Sequence, residues 1–125
     1  MVRTRATAKK AGSTFERIIA NHFAAKVDDR IDRAVKRGTF DVGDIAGLRF
    51  HGHKIAVECK DTVKVELSKW AAEAEAERRN LGALSGVIIH KRYGRTAPGQ
   101  QWVTMTVDDF IALMNLSREE QPCQV

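Results

Sequence analysis

The 125-residue chain predicts one α/β domain, a mixed β-sheet flanked by helices in the order αβββαββα. Three observations carry this expectation. Residues 13–26 and 67–80 place apolar side chains at helical spacing. Short runs rich in valine and isoleucine lie between and after them, bounded by glycine, and read as strands. One run, Gly86-Val87-Ile88-Ile89-His90, is continuously apolar, as in a strand covered on both faces.

Composition bounds the class. With 43% hydrophobic and 30% charged residues the chain is ordinary globular protein, long enough to bury a modest core. No apolar run is long enough to span a bilayer, and no apolar segment follows the N-terminal charges as in a secretory signal. The expectation is therefore an intracellular protein without a membrane partner. Cys59 falls on the apolar face of a strand and Cys123 near the C-terminus, which fits neither a structural disulfide nor a zinc site.

Net charge is +5, and Arg3, Arg5, Lys9 and Lys10 supply +4 of it within residues 1–12, where there is no acid. This stretch reads as a disordered basic arm, with the ordered domain over 13–116 and a C-terminal tail over 117–125. Such an arm suits a polyanion such as DNA, although charge alone does not separate that role from simple solvation.

Taken in order, Ser13 or Thr14 caps the first helix, and Phe15, Ile18, Ile19, His22 and Phe23 form its stripe. Residues 28–38 read either as a continuation of this helix or as a short edge strand. The strand is favoured, entering near Ile31 and leaving at Gly38. Residues 40–49 and 53–60 read as a hairpin. Leu67, Trp70, Ala71 and Ala74 form the inner stripe of a second helix, with Glu73, Glu75, Glu77, Arg78 and Arg79 in water and Gly82 as terminator. Residues 86–90 and 102–105 are strands. Thr106 caps a last helix whose Phe110, Ile111, Leu113 and Met114 are expected to pack inward.

The chemistry-bearing stretch is Gly43-Asp44 followed by Ala56-Val57-Glu58-Cys59-Lys60. Side chains alternate along a strand, so Ile55, Val57 and Cys59 share one face, while Glu58 and Lys60 share the other. A three-residue loop, Phe50-His51-Gly52, sets Arg49 against His53 and Asp44 against Glu58. A two-residue turn sets Asp44 against Cys59, on the wrong face, unless a bulge intervenes. In the first register Asp44 and Glu58 offer two hard oxygens to a divalent cation. The Cys59 carbonyl offers a third, and Lys60 adds a fixed positive charge. Taken bare, Glu-x-Lys at a strand end is a common exposed ion pair worth little.

Gly43-Asp44 with Val57-Glu58-Cys59-Lys60 resembles the core of the PD-(D/E)xK nucleases, with glycine in place of the usual proline. Gly12-Ser13-Thr14-Phe15-Glu16-Arg17 resembles the opening of archaeal-type Holliday junction resolvases, and the chain is similar overall to small resolvase-like endonucleases of bacteriophages. The likeness spans roughly residues 12–115 by element order. It implies a restriction-endonuclease-like core and a nuclease domain over 13–116. Asp44 and Glu58 would bind Mg2+, or Mn2+ in its place, and Lys60 would be the catalytic lysine. Glu16 would complete the acidic site directly or through water, and Arg17 would meet the phosphate backbone. The implied activity is hydrolysis of four-way DNA junctions by a metal-bound water, carried out by a homodimer, in the host cytoplasm for a phage-encoded protein.

Further DNA contacts are expected from Arg33, Lys36 and Arg37 and from Lys91, Arg92 and Arg95, beside the arm. Two other functions fit the same residues. One is a nicking, restriction-like or repair endonuclease acting on ordinary duplex. The other is a DNA-binding protein without catalysis.

Overall fold

The computed structural model describes residues 2–36 and 38–120. Arg37 and Cys123 lie outside the described residues. The fold is α+β, with parallel and antiparallel strands in one sheet between helices, in the element order that the sequence predicts once a bulged strand is counted as one.

Helix α1 runs Arg5–Lys26 and is longer than expected. Its N-cap is Thr4, whose hydroxyl accepts from the Thr7 N–H at 3.1 Å, and not Ser13 or Thr14. Residues 5–12 of the expected disordered arm are therefore helical. Alanine, lysine and arginine are good helix formers, and packing of Phe15, Ile19 and Ala20 already nucleates the helix. Extending it toward the N-terminus needs only one more backbone bond per residue. Arg3 fastens the start, donating to the Asp61 carbonyl at 2.7 Å and to its carboxylate at 3.1 Å.

Strand β1 is only Asp32–Arg33, so the edge-strand reading of the 28–38 segment holds in shortened form. It pairs antiparallel with β2, Ile45–Ala46, which pairs antiparallel with β4, His53–Lys60. Strand β3, Arg49–Phe50, closes the hairpin on β4. The turn is the two-residue His51-Gly52, with φ of 49° and 80°, as a type I′ turn requires. The expected three-residue loop is thus replaced. Between Arg49↔Lys54 and Ile45↔Val57, one strand advances four residues and the other three. The extra residue is a bulge near Gly47, whose φ is 92°. The bulge restores the register that the turn alone would lose, and Asp44 comes beside Glu58.

Helix α2, Leu67–Leu81, ends on Gly82 in the left-handed conformation and carries the chain over to β5, Ser85–His90, parallel to β4. Strand β6, Trp102–Thr104, adds antiparallel to β5, giving the order β1-β2-β4-β5-β6. Ile55, Val57, Cys59, Val87 and Ile89 face a core shared with Phe15 and Ile19 of α1 and Ala112 of the last helix, α3, Val107–Asn115. Ile88 faces Trp70 and Ala74 of α2 on the opposite side. Gly86 lets α2 approach closely, because a Cβ there would stand 2.8 Å from the Ala74 carbonyl oxygen.

Two helix faces differ from expectation. On α2, Leu67 is exposed, whereas Glu77 and Arg78 are buried. Arg78 is held by Glu75, by Glu120 and by the Ala83 carbonyl. On α3, Val107–Asn115, Phe110, Ile111 and Met114 face outward, and Asp109, Ala112 and Leu113 face in. Asp109 orients the helix. It accepts from the Gly86 N–H at 3.3 Å and from Arg118 at 2.5 Å, while its own carbonyl accepts from Ser85. With these partners, and the Thr106 hydroxyl on its other oxygen, the inward carboxylate is fully hydrogen-bonded, which offsets the cost of burying it. Among the described residues no helix is long and apolar enough to cross a membrane.

Candidate functional site

The C-terminal half of β4 delivers Glu58 and Lys60 to the α2 side of the sheet, and the bulged strand delivers Asp44 to the same place. Gly43 makes this possible. Its φ is 104°, and a Cβ would stand 2.8 Å from the Val57 carbonyl oxygen, so the backbone lies directly on β4. Proline, with φ fixed near −65°, could not occupy this position. The Asp44 N–H then donates to the Val57 carbonyl at 2.7 Å, and the Asp44 Oδ2 accepts from the Cys59 N–H at 2.8 Å. The contact that Cys59 makes with Asp44 is thus through its amide.

Asp44 and Glu58 are both buried, with the carboxylates of Asp44 and Glu77 beside that of Glu58. Burial first, and then the neighbouring Glu77 and Asp44 carboxyls, raise Glu58 far above the carboxylate range. Burial also pushes Asp44 up. Bonds from Glu58, Lys36 and the Cys59 amide outweigh it and leave Asp44 below its ordinary value. Burial raises Glu77 to about 7, with Asp41, Asp44 and Glu73 adding repulsion against the bond from Glu58.

Lys60 donates to Glu73 Oε2 at 2.7 Å. Burial alone would lower its pKa, but the Glu73 bond and the nearby Glu58 raise it, so the amine stays charged. Glu16 stands at the rim. Its Oε1 lies 3.3 Å from Arg33 and 3.7 Å from Lys36, and Lys36 also reaches Asp44 Oδ1 at 2.8 Å. Burial, followed by repulsion from Asp44, raises Glu16 above its usual value.

The structure therefore brings Asp44, Glu58, Lys60 and Glu16 into one region, with Lys36 linking Glu16 to Asp44. Arg33 and Lys36 are counter-ions of these acids, and the Lys36 side chain is still largely exposed. Arg3 is likewise committed to Asp61, and Arg17 is paired with Asp32 at 2.8 Å. Arg5, Lys9 and Lys10 project from α1 as exposed side chains. Lys91 bonds the Arg92 and Arg95 carbonyls, and Arg92 stacks on Trp102 at 4.5 Å, so the 91–95 loop is braced around exposed Tyr93 and Arg95.

Three acids escaped the sequence reading. Glu73 and Glu77 sit three and seven residues beyond Trp70, positions that share its helix face. That spacing was the available signal. Asp41 carried none. It is placed by Asn80, which donates to its carbonyl at 2.8 Å, and by the Gly43 N–H, which its carboxylate accepts at 2.9 Å. Oxygens of Asp41, Glu58 and Glu77 lie within 4.8 Å of one another. Glu77 Oε2 is buried with no hydrogen-bond partner among the described residues. Hard oxygen donors and an orphaned buried carboxylate atom fit a divalent cation, which would compensate charge that the protein leaves uncompensated.

Comparison with protein-family models, curated proteins and solved structures returned no match.

Proposed function

We infer that the chain is a metal-dependent DNA endonuclease of the PD-(D/E)xK type, acting on branched DNA as a Holliday junction resolvase. The observation that carries this reading is the meeting of Asp44 and Glu58 through a bulge-corrected register, with Lys60 emerging beside Glu58. Scattered surface acids would have no reason to accept burial and mutual repulsion; a site for a cation and a phosphate does.

A divalent cation, Mg2+ or Mn2+, held by Asp44, Glu58 and the Cys59 carbonyl would neutralise charge on the phosphate and lower the pKa of water. The chain's own residues do the rest. Glu73 holds the Lys60 ammonium in place on the Glu58 face, where it stabilises negative charge developing on the phosphate. Lys36 and Arg33 position Glu16 and Asp44. Arg5, Lys9 and Lys10 on α1, with Arg95 and the braced 91–95 loop, supply cations for the DNA backbone. Paired cuts in a four-way junction need two sites about a two-fold axis, hence a homodimer. The outward Phe110, Ile111 and Met114 of α3 offer an apolar surface for it.

The test is incubation of a labelled four-way junction with and without Mg2+. Paired symmetric nicks that need the metal are expected, and Glu58→Ala should bind the junction without cutting it. Equal cutting of linear duplex would move the reading to a duplex endonuclease. Salt-sensitive binding with no cutting in Mg2+ or Mn2+ would overturn it in favour of a binding protein.

A further inference from the structure

We propose that Tyr93, carried on the loop between β5 and β6, stacks on an unstacked nucleobase where the DNA branches, and so selects branched over linear substrate. It rests on the nuclease reading and gives that site the residue by which it tells its substrates apart.

Tyr93 is 100% exposed, against 51% for Phe40 and for Phe110, the next aromatic rings. A ring left wholly in water contributes nothing to the core, although a tyrosine is one of the larger apolar bodies a chain can bury. The backbone beneath it is nevertheless tightly held. The Arg95 N–H donates to the Arg92 carbonyl at 3.2 Å and closes a turn with Tyr93 and Gly94 at its tip. Gly94 has a φ of 76°, as the third residue of a type II turn requires. Lys91 Nζ donates to the Arg92 carbonyl at 2.9 Å and also to that of Arg95. Gln101 accepts from the Arg92 N–H at 2.6 Å and donates to the Arg95 and Ala97 carbonyls at 3.1 and 2.9 Å. The ring is thus presented on a braced turn, so little ordering entropy is lost when a flat partner meets it.

Place and charge say what that partner is. The Lys91 N–H donates to the Lys60 carbonyl at 3.0 Å, and His90 pairs in register with Lys60. The loop therefore leaves the sheet at the strand end that carries the proposed catalytic amine. Lys91, Arg92 and Arg95 lie within two residues of Tyr93, and no acid occurs between residues 91 and 107. Cations interleaved with an exposed ring fit a polyanion whose bases offer π-faces. In linear duplex every base face is covered by its neighbours, and the ring meets only backbone and groove edges. Where strands cross over or a strand is interrupted, a face is open. Every base has such a face, so the contact selects DNA structure without selecting sequence.

The test measures affinity of the full-length protein in chelator, where no cutting occurs. The probes are a four-way junction, a duplex with a single-stranded gap and a linear duplex, each with a fluorescent purine at its centre. Tyr93→Ala should bind the junction and the gapped duplex about tenfold more weakly, as loss of one base–aromatic stack predicts, and linear duplex within about twofold of the wild type. Tyr93→Trp should restore the junction affinity and Tyr93→Leu should not. The purine at the crossover should be quenched by the wild type and not by Tyr93→Ala. The side chain is fully exposed, so these variants leave the packing as it is. Equal weakening on all three DNAs overturns the proposal in favour of a general backbone contact. Unchanged affinities, with the junction still cut in Mg2+, overturn it and leave the nuclease reading intact. Discrimination that depends on Tyr93 in a protein that cuts no DNA in Mg2+ or Mn2+ upholds the stacking role and overturns the nuclease reading. No affinity for any of the three DNAs overturns both, in favour of an acidic protein partner for the loop.

Discussion

Lys36 holds its ammonium 2.8 Å from Asp44 Oδ1, and so serves as the counter-ion of the best-buried aspartate of the site. The same nitrogen lies 3.7 Å from Glu16. It occupies the charge position that a dication bound to Asp44 would also claim.

Lys36→Met therefore has two opposed effects. The metal-free protein should lose up to about 1 kcal/mol, since the lysine is largely exposed and its pairing is screened. Affinity for Mg2+ should rise severalfold, because no ammonium competes for Asp44. Thermal melting with and without Mg2+ gives both numbers, and weaker Mg2+ binding in the variant would contradict the assignment.

Stability of the metal-free protein should fall as pH rises. Glu77 and Glu58 have folded-state pKa values above their unfolded ones, so the folded state binds more protons. Their contribution is fully present below about pH 4.5 and is lost as pH climbs toward 7 and beyond, by on the order of 1–3 kcal/mol. Asp44 acts oppositely, but only in acid, where its lowered pKa is approached. Mn2+ or Mg2+ should abolish the loss. Urea denaturation at pH 5 and pH 8, with chelator or with metal, measures the difference, and a metal-free protein equally stable at both would exclude the buried acid cluster.

Gly43→Ala should destabilise by about 2–4 kcal/mol and lower metal affinity together. Its φ of 104° strains any side chain, and the new Cβ would stand 2.8 Å from Val57 oxygen. Gly52→Ala has φ of 80° at an exposed turn with open space, so about 1 kcal/mol and no change in metal binding is expected. Denaturation paired with metal titration separates the two.

Arg3→Ala should loosen the start of α1 without unfolding its core. Amide exchange should accelerate over residues 5–12 and stay slow near Phe15 and Ile19, which are buried. Uniform protection in both proteins would mean that the cap at Thr4 alone holds the helix end.

Much of this fold was legible locally. The stripe of α1 at Phe15, Ile19 and Phe23 (though not Ile18, which is exposed), the Gly82 stop, the apolar strand β5 and the alternation that separates Val57 and Cys59 from Glu58 and Lys60 all follow from periods of 3.6 and 2. The first dozen residues misled because composition reads the same for a solvated arm and for an extended helix. The distinction lay in Arg3 reaching Asp61, far along the chain. The structure takes the two-residue turn with a bulge in place of the three-residue loop, and both give the same pairing of Asp44 with Glu58, since only the sum of turn and bulge sets the register.

By itself the sequence determined which residues bear charge and which face of β4 shows Glu58, because strand and helix periods are properties of neighbouring residues. The tertiary structure alone decided that Glu77 points into the site and that Lys36 and Arg33 serve its acids. It also decided that Asp109 faces inward in place of Phe110. Each of those choices balances burial against charge pairing between distant segments, and the balance exists only once α2 is seated on Gly86 and the 41–43 loop is closed on β4.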